Sequence, residues 1–127
     1  MRVALDIDGT ITEKPEFFSL LSRAVRREGG MVYVVTSRLG TPEAEKETRK
    51  ELLAWKIEFD ELIFLPPAGD PRQLPCPHEG LDWYEKYLWQ KVKVCLDRSV
   101  DLVFEDDPKV ISIFEKYAPA IRVFLPC

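Results

Sequence analysis

Residues 2–10 read RVALDIDGT, and the fold follows from how this stretch is read. Arg2 to Ile7 is a short apolar strand that ends among acids. Asp6 and Asp8 stand at i and i+2 just past it, followed by Gly9 and Thr10. Both carboxylates are expected to project into the crevice at the strand's carboxyl end, and Gly9 lets the chain turn sharply there.

Outward from this point, strands and helices alternate. Pro15 to Glu28 reads as a helix, with Phe17, Leu20, Leu21, Ala24 and Val25 on its inner face and Arg23, Arg26 and Arg27 off it. Gly29-Gly30 ends it. Residues 31–35, MVYVV, form a buried-type strand. Thr41 caps a second helix that carries Pro42 at its first position and runs to about Trp55, with Ala44, Thr48, Leu52 and Trp55 as the inner stripe.

Glu61 to Leu65 is the third strand. Pro66 to Gly80 is a proline-rich loop, long enough to suggest function or motion. Asp82 and Glu85 form a capping pair for a third helix reaching about Arg98. Asp101 to Glu105 is the fourth strand, Asp107-Pro108 opens a helix to about Tyr117, and Ala120 to Leu125 is the fifth strand. This order predicts an α/β domain over residues 1–127, with a five-stranded, mainly parallel sheet and helices on both faces.

Chemistry is expected just after strands one, two and four. A carboxylate attacking phosphorus needs no deprotonation near pH 7, but two anions must then meet, and magnesium relieves that repulsion. Thr36 follows strand two directly, where its hydroxyl can reach a phosphoryl oxygen. Strand four ends in Glu105-Asp106-Asp107, a cluster that repels itself in a crevice unless it holds a cation. Asp106 is the expected ligand, Glu105 its support, and Asp107 a helix cap. Thr36-Ser37-Arg38 also reads as a helix cap followed by a surface charge, so Arg38 is open to substrate or to solvent.

Asp6-x-Asp8-Gly-Thr10, Thr36 after a hydrophobic strand, a lysine, and an acidic motif after a later strand together resemble the four motifs of the haloacid-dehalogenase-like superfamily. The resemblance implies a Rossmann-like sheet and a magnesium-dependent phosphohydrolase acting on a phosphomonoester. By it, Asp6 is the nucleophile that becomes an aspartyl-phosphate, and Asp8 is the general acid and then the base. Thr36 and the lysine hold the phosphoryl group. Gly9, Thr10, Ser37 and Arg38 are the remaining expected substrate contacts. Mg2+ is expected on Asp6, the Asp8 backbone carbonyl and Asp106. A second Asp at position 8 places the chain with the superfamily's phosphatases rather than its dehalogenases. The alternative is a regulatory module that binds metal or phosphate without catalysis.

Helix periodicity selects the lysine. Tyr84, Leu88, Lys91 and Cys95 form one row, apolar except for Lys91. Lys86, Gln90, Lys93 and Asp97 form another, wholly polar and expected to face water. Lys91 on the buried row needs paired charge, which Asp6 and Asp106 are expected to supply.

Only about 25 residues separate Asp8 from Thr36, too few for a full cap domain, so an open site is expected, with substrate selection left to the 66–80 loop, a neighbouring subunit or a large substrate. A small phosphorylated metabolite is the expected substrate class. The dense aromatics from Trp83 to Trp89 suggest a homo-oligomer. The formal net charge of −4 steers the chain towards neither nucleic acid nor an anionic membrane. No apolar run has the length of a membrane span. Acids at positions 6 and 8 break any leader, and three cysteines in no disulfide or zinc spacing fit a cytoplasmic protein. Cys76-Pro-His78 offers two ligands, short of the four that structural zinc takes.

Overall fold

The computed structural model describes residues 1–125, so Cys127 lies outside the described residues. Five strands form one sheet: β1 (Arg2–Leu5), β2 (Met31–Thr36), β3 (Glu61–Phe64), β4 (Leu102–Phe104) and β5 (Arg122–Phe124). Their order is β3-β2-β1-β4-β5, and every pairing is parallel. Four helices connect them: α1 (Pro15–Arg27), α2 (Pro42–Ala54), α3 (Trp83–Asp97) and α4 (Pro108–Tyr117).

Side chains alternate across the sheet with period two. Val3, Leu5, Val32 and Val34 pack with Phe18 of α1 and Leu52 of α2. Ala4, Tyr33, Val35 and Val103 pack on the other face with Leu88, Trp89 and Val92 of α3 and Ile113 and Phe114 of α4. A sheet covered on both faces explains its continuous apolar strands.

α1 turns differently from its expected face. Phe17 and Leu20 are exposed, at 49% and 63%, and Ala24 is exposed as well. Phe18, Ser19 and Ser22 are buried instead, with Leu21 and Val25 half-buried. The serines win the inner face because their hydroxyls have work there. Ser19 Oγ donates to Lys56 O at 2.8 Å, and Ser22 Oγ accepts from Glu58 N at 3.1 Å. They thus tie α1 to backbone groups of the α2–β3 turn.

α2 buries Thr48 and Leu52 on its expected stripe. α3 begins with a full capping box, in which Asp82 accepts from Glu85 N and Glu85 accepts from Asp82 N. Gln90, expected in water, is fully buried. Its amide bridges the proline-rich loop, accepting from Leu74 N at 3.0 Å and donating to Pro66 O at 2.9 Å. His78 stacks on Tyr117 at 3.9 Å between ring centres. The 66–80 segment is therefore packed onto α3 and α4, and this cover turns a polar helix position into an interior one.

A candidate active site at the carboxyl end of the sheet

β1 delivers Asp6 to the sheet's upper edge, where Asp6 N donates to Phe104 O at 3.1 Å and extends the β1–β4 pairing by one residue. The chain then makes a single wide turn over Ile7–Ile11. Gly9 sits there at φ +85°, in the left-handed region. A Cβ at Gly9 would also collide with the Asp106 carboxylate. Glycine is thus needed twice, for the turn and for the approach of β1 to the β4 acids.

Lys91 crosses from α3 to the same place. Its Nζ donates to Asp6 Oδ1 at 3.0 Å and to Glu105 Oε2 at 2.6 Å. All three groups are buried, with side-chain exposures of 8%, 11% and 2%. The expected partner Asp106 is replaced by Glu105, whose longer side chain turns inward from the end of β4. The other Glu105 oxygen, Oε1, accepts from Asp106 N and Asp107 N at 3.1 and 3.2 Å. Glu105 therefore positions both the lysine and the backbone of the acidic segment. Asp107 Oδ1 accepts from Lys109 N at 2.9 Å and caps α4, as expected.

Oxygens of Asp6, Glu105 and Asp106 lie within 4.8 Å of one another. Three carboxylates face one lysine, leaving a local charge near −2 when all are ionised. Burial pushes the Asp6 carboxyl up from 3.8 to about 7, against the pull of Lys91, with Glu105 repulsion and an Asp106 hydrogen bond adding to the rise. This all-oxygen, over-negative donor set suits a hard divalent cation such as Mg2+. Glu105, expected only as support, stands within this set beside the expected Asp6 and Asp106. The Asp8 carboxylate is taken by Arg38, so the expected backbone oxygen is what Asp8 has to offer.

Asp8 is paired with Arg38. Nε and Nη2 of the guanidinium donate to the two carboxylate oxygens at 2.9 and 2.7 Å, a fork-to-fork pair. These hydrogen bonds hold the Asp8 carboxyl below its usual range. Arg38 also donates to Glu51 Oε2 at 2.6 Å and to Thr48 Oγ1 at 3.3 Å. Its guanidinium is thus engaged by two carboxylates rather than free in solvent.

Two expected contacts are set back from the cleft. Thr10 is fully buried, and its hydroxyl donates to Asp6 Oδ2 at 3.2 Å. It orients the carboxylate rather than touching substrate. Thr36 is buried, and its Oγ1 accepts from Arg38 N at 3.1 Å. Ser37, one residue on, lines the cleft with Asp6, Asp8, Lys91 and Asp106. The cleft holds about 210 Å³ and has a second, less polar wall that includes Leu65, Tyr84, Tyr87 and Val110. Tyr84 and Tyr87 belong to the aromatic cluster expected at a subunit contact, and the structure places both on the cleft instead. Trp83 is the exposed aromatic of the cluster, at 72%, whereas Trp89 is buried. Lys93 faces outward and pairs with Asp97 at 2.8 Å.

Among the described residues, no helix is long and apolar enough to cross a membrane. No family model matches the sequence, and no curated protein matches it. Solved structures do match the fold. A chain of a Pnkp1/Rnl/Hen1 RNA repair complex superposes with a TM-score of 0.66 at 16% identity, over 98% of this chain and 42% of that one. A chain of a second Pnkp1/Rnl/Hen1 complex gives 0.63 at 16% identity, over 98% and 45%. This chain thus spans less than half the length of either neighbour, and the likeness, at this identity, is one of fold: a Rossmann-like α/β sheet.

Proposed function

We propose that the protein is a magnesium-dependent phosphohydrolase of the haloacid-dehalogenase-like type, acting on a phosphomonoester through an aspartyl-phosphate on Asp6. The observation that carries this reading is the buried cluster in which Lys91 bridges Asp6 and Glu105 beside Asp106. A carboxylate fixed by a lysine beside further carboxylates is the arrangement that nucleophilic attack on a phosphoryl group with a bound cation requires.

In this reading an Asp6 carboxylate oxygen attacks phosphorus and the bond to the leaving oxygen breaks. Asp8 gives that oxygen a proton, then takes one from the water that cleaves the aspartyl-phosphate. Lys91 fixes the Asp6 oxygen and offsets charge that builds on the phosphoryl group. Thr10 orients Asp6 from behind, and Ser37 offers a hydroxyl to the phosphoryl oxygens. Asp8 can act only once Arg38 releases it, and the freed guanidinium then suits the same oxygens. Bound Mg2+, held by Asp6 and Asp106 with Glu105 beside them, supplies Lewis acidity and screens the two anions from each other.

Hydrolysis of a generic aryl phosphate, measured with Mg2+ and with excess EDTA, tests this. Loss of turnover in EDTA and its return with Mg2+ are expected. Equal rates would remove the metal from the mechanism. No turnover in either condition would favour a non-catalytic module that binds metal or phosphate.

A small phosphorylated metabolite suits the modest cleft. A terminal phosphate on an oligonucleotide is the second reading, favoured by the neighbours from an RNA repair complex. Parallel assays on phosphorylated metabolites and on end-phosphorylated oligonucleotides separate the two, and the class with the higher kcat/KM decides. We also place the protein in the cytoplasm, where the free thiols of Cys76 and Cys95 are at home. Recovery of the native protein from the periplasmic fraction would contradict this. We also propose self-association, with exposed Trp83 at the contact. Light scattering that returns the 14.7 kDa monomer mass at micromolar concentration would count against it.

A further inference from the structure

The phosphoryl chemistry leaves part of the cleft lining unused. Tyr84, Tyr87 and Leu88 of α3, the helix that also carries Lys91, line it together with the acids. Tyr87 and Tyr84 lie four and seven residues before Lys91, so their Cα atoms stand about 6 and 10 Å back along the helix axis. The two rings therefore line the same cleft one and two helical turns before the lysine.

The tyrosines are held in place. The Tyr84 ring packs edge-on against Trp83 at 5.8 Å and lies 6.3 Å from Tyr87. Lys109 Nζ stands 5.1 Å from the Tyr84 ring centre. Both tyrosines also rest on the core beneath α3. Neither phenol hydroxyl hydrogen-bonds another described residue, which leaves both for a ligand heteroatom. A rigid aromatic wall binds at low entropic cost, because little side-chain freedom is left to lose. Drug-sized ligands occupy pockets of roughly 300–1,000 Å³. At about 210 Å³ this cleft takes a phosphoryl group and about one ring.

We infer that the cleft selects phosphomonoesters whose leaving group carries a flat aromatic ring, held against Tyr84 and Tyr87. This rests on the phosphohydrolase reading above. Ring against ring gains more than the same area of saturated carbon, by a factor of roughly 2 to 12 in affinity.

Benzyl phosphate and cyclohexylmethyl phosphate test it, because their leaving alcohols have similar basicity and size and differ in the ring. Wild-type kcat/KM is expected to favour the benzyl ester by about 5-fold, carried in KM. In Tyr84→Leu/Tyr87→Leu the ratio should fall to near one, because leucine keeps an apolar wall and removes the rings. Tyr84→Phe should keep most of the preference. Thermal melts confirm that each variant is folded. Calorimetric binding of benzylphosphonate and cyclohexylmethylphosphonate, with Mg2+ present, reads the same preference without turnover. A phosphonate preference without hydrolysis of either ester keeps the ring site and overturns the phosphohydrolase reading. Brisk hydrolysis of both esters at equal kcat/KM overturns the ring site alone. Neither turnover nor a phosphonate preference overturns both.

Discussion

Two cation–carboxylate clusters stand at the carboxyl end of the sheet, and they differ in burial and in charge. In the first, Lys91, Asp6 and Glu105 are largely buried at the floor of the cleft, and Asp106 adds a further negative charge. In the second, Arg38 pairs with Asp8 and Glu51 nearer the surface, with Asp8 64% and Glu51 38% exposed. Burial makes the first cluster costly without a second cation and poised to take one. Exposure leaves the second cheap to make and cheap to break. The contrast suits a division of labour in which the buried cluster holds fixed geometry and the exposed one changes partners.

Removing the nucleophile should have the largest effect. Asp6→Asn is expected to abolish steady-state turnover while circular dichroism stays native, since the change keeps the volume of the side chain. Measurable turnover would remove Asp6 from its role.

The lysines come next. Lys91→Ala is expected to lower kcat by about 100-fold or more, the scale of one lost electrostatic stabiliser. It should also destabilise the metal-free protein by about 3–5 kcal/mol, because Asp6 and Glu105 are left buried without their cation. Lys93→Ala removes only an exposed i,i+4 pair and should stay within about 0.5 kcal/mol and near wild-type rate. Similar behaviour of the two variants would erase the difference between buried and exposed cations.

Stability against pH sharpens the same point. The folded, metal-free protein holds the Asp6 proton up to about pH 7, whereas the unfolded chain releases it near 3.8. The Asp6 contribution is therefore fully present below about pH 4 and is lost as the pH rises to 7. Chemical denaturation of metal-free protein should show a loss on the order of 4 kcal/mol from this group between pH 4 and 8. Mg2+ at pH 8 should recover it, and Asp6→Asn should flatten the profile. An unchanged profile in that variant would assign the pH dependence to other groups.

Arg38→Ala should cost far less stability than Lys91→Ala, below about 1 kcal/mol, as for a pair open to solvent. Its KM for a phosphomonoester should nevertheless rise, if the guanidinium passes from Asp8 to the phosphoryl oxygens. A larger loss of stability than in Lys91→Ala would reverse the ranking of the two clusters.

The sequence by itself determined the α/β order, the parallel sheet, the capping box at Asp82 and Glu85, and the edge at which the acids gather. Each rests on local rules: hydrophobic period, cap chemistry, and the placement of loops after parallel strands. It also singled out Lys91 over Lys93, because a lysine within an apolar helical row must find buried charge. Tertiary structure alone decided the partners. Glu105 rather than Asp106 meets Lys91, Arg38 closes on Asp8, and Thr10 turns back to Asp6. Gln90 is buried because a distant loop lies on it, and α1 turns its serines inward because a distant turn needs donors and acceptors. Helical and strand periods show which face a residue occupies. They carry no information about which of several neighbouring acids lies within 3 Å of a given cation, and that selection belongs to packing between elements far apart in the chain.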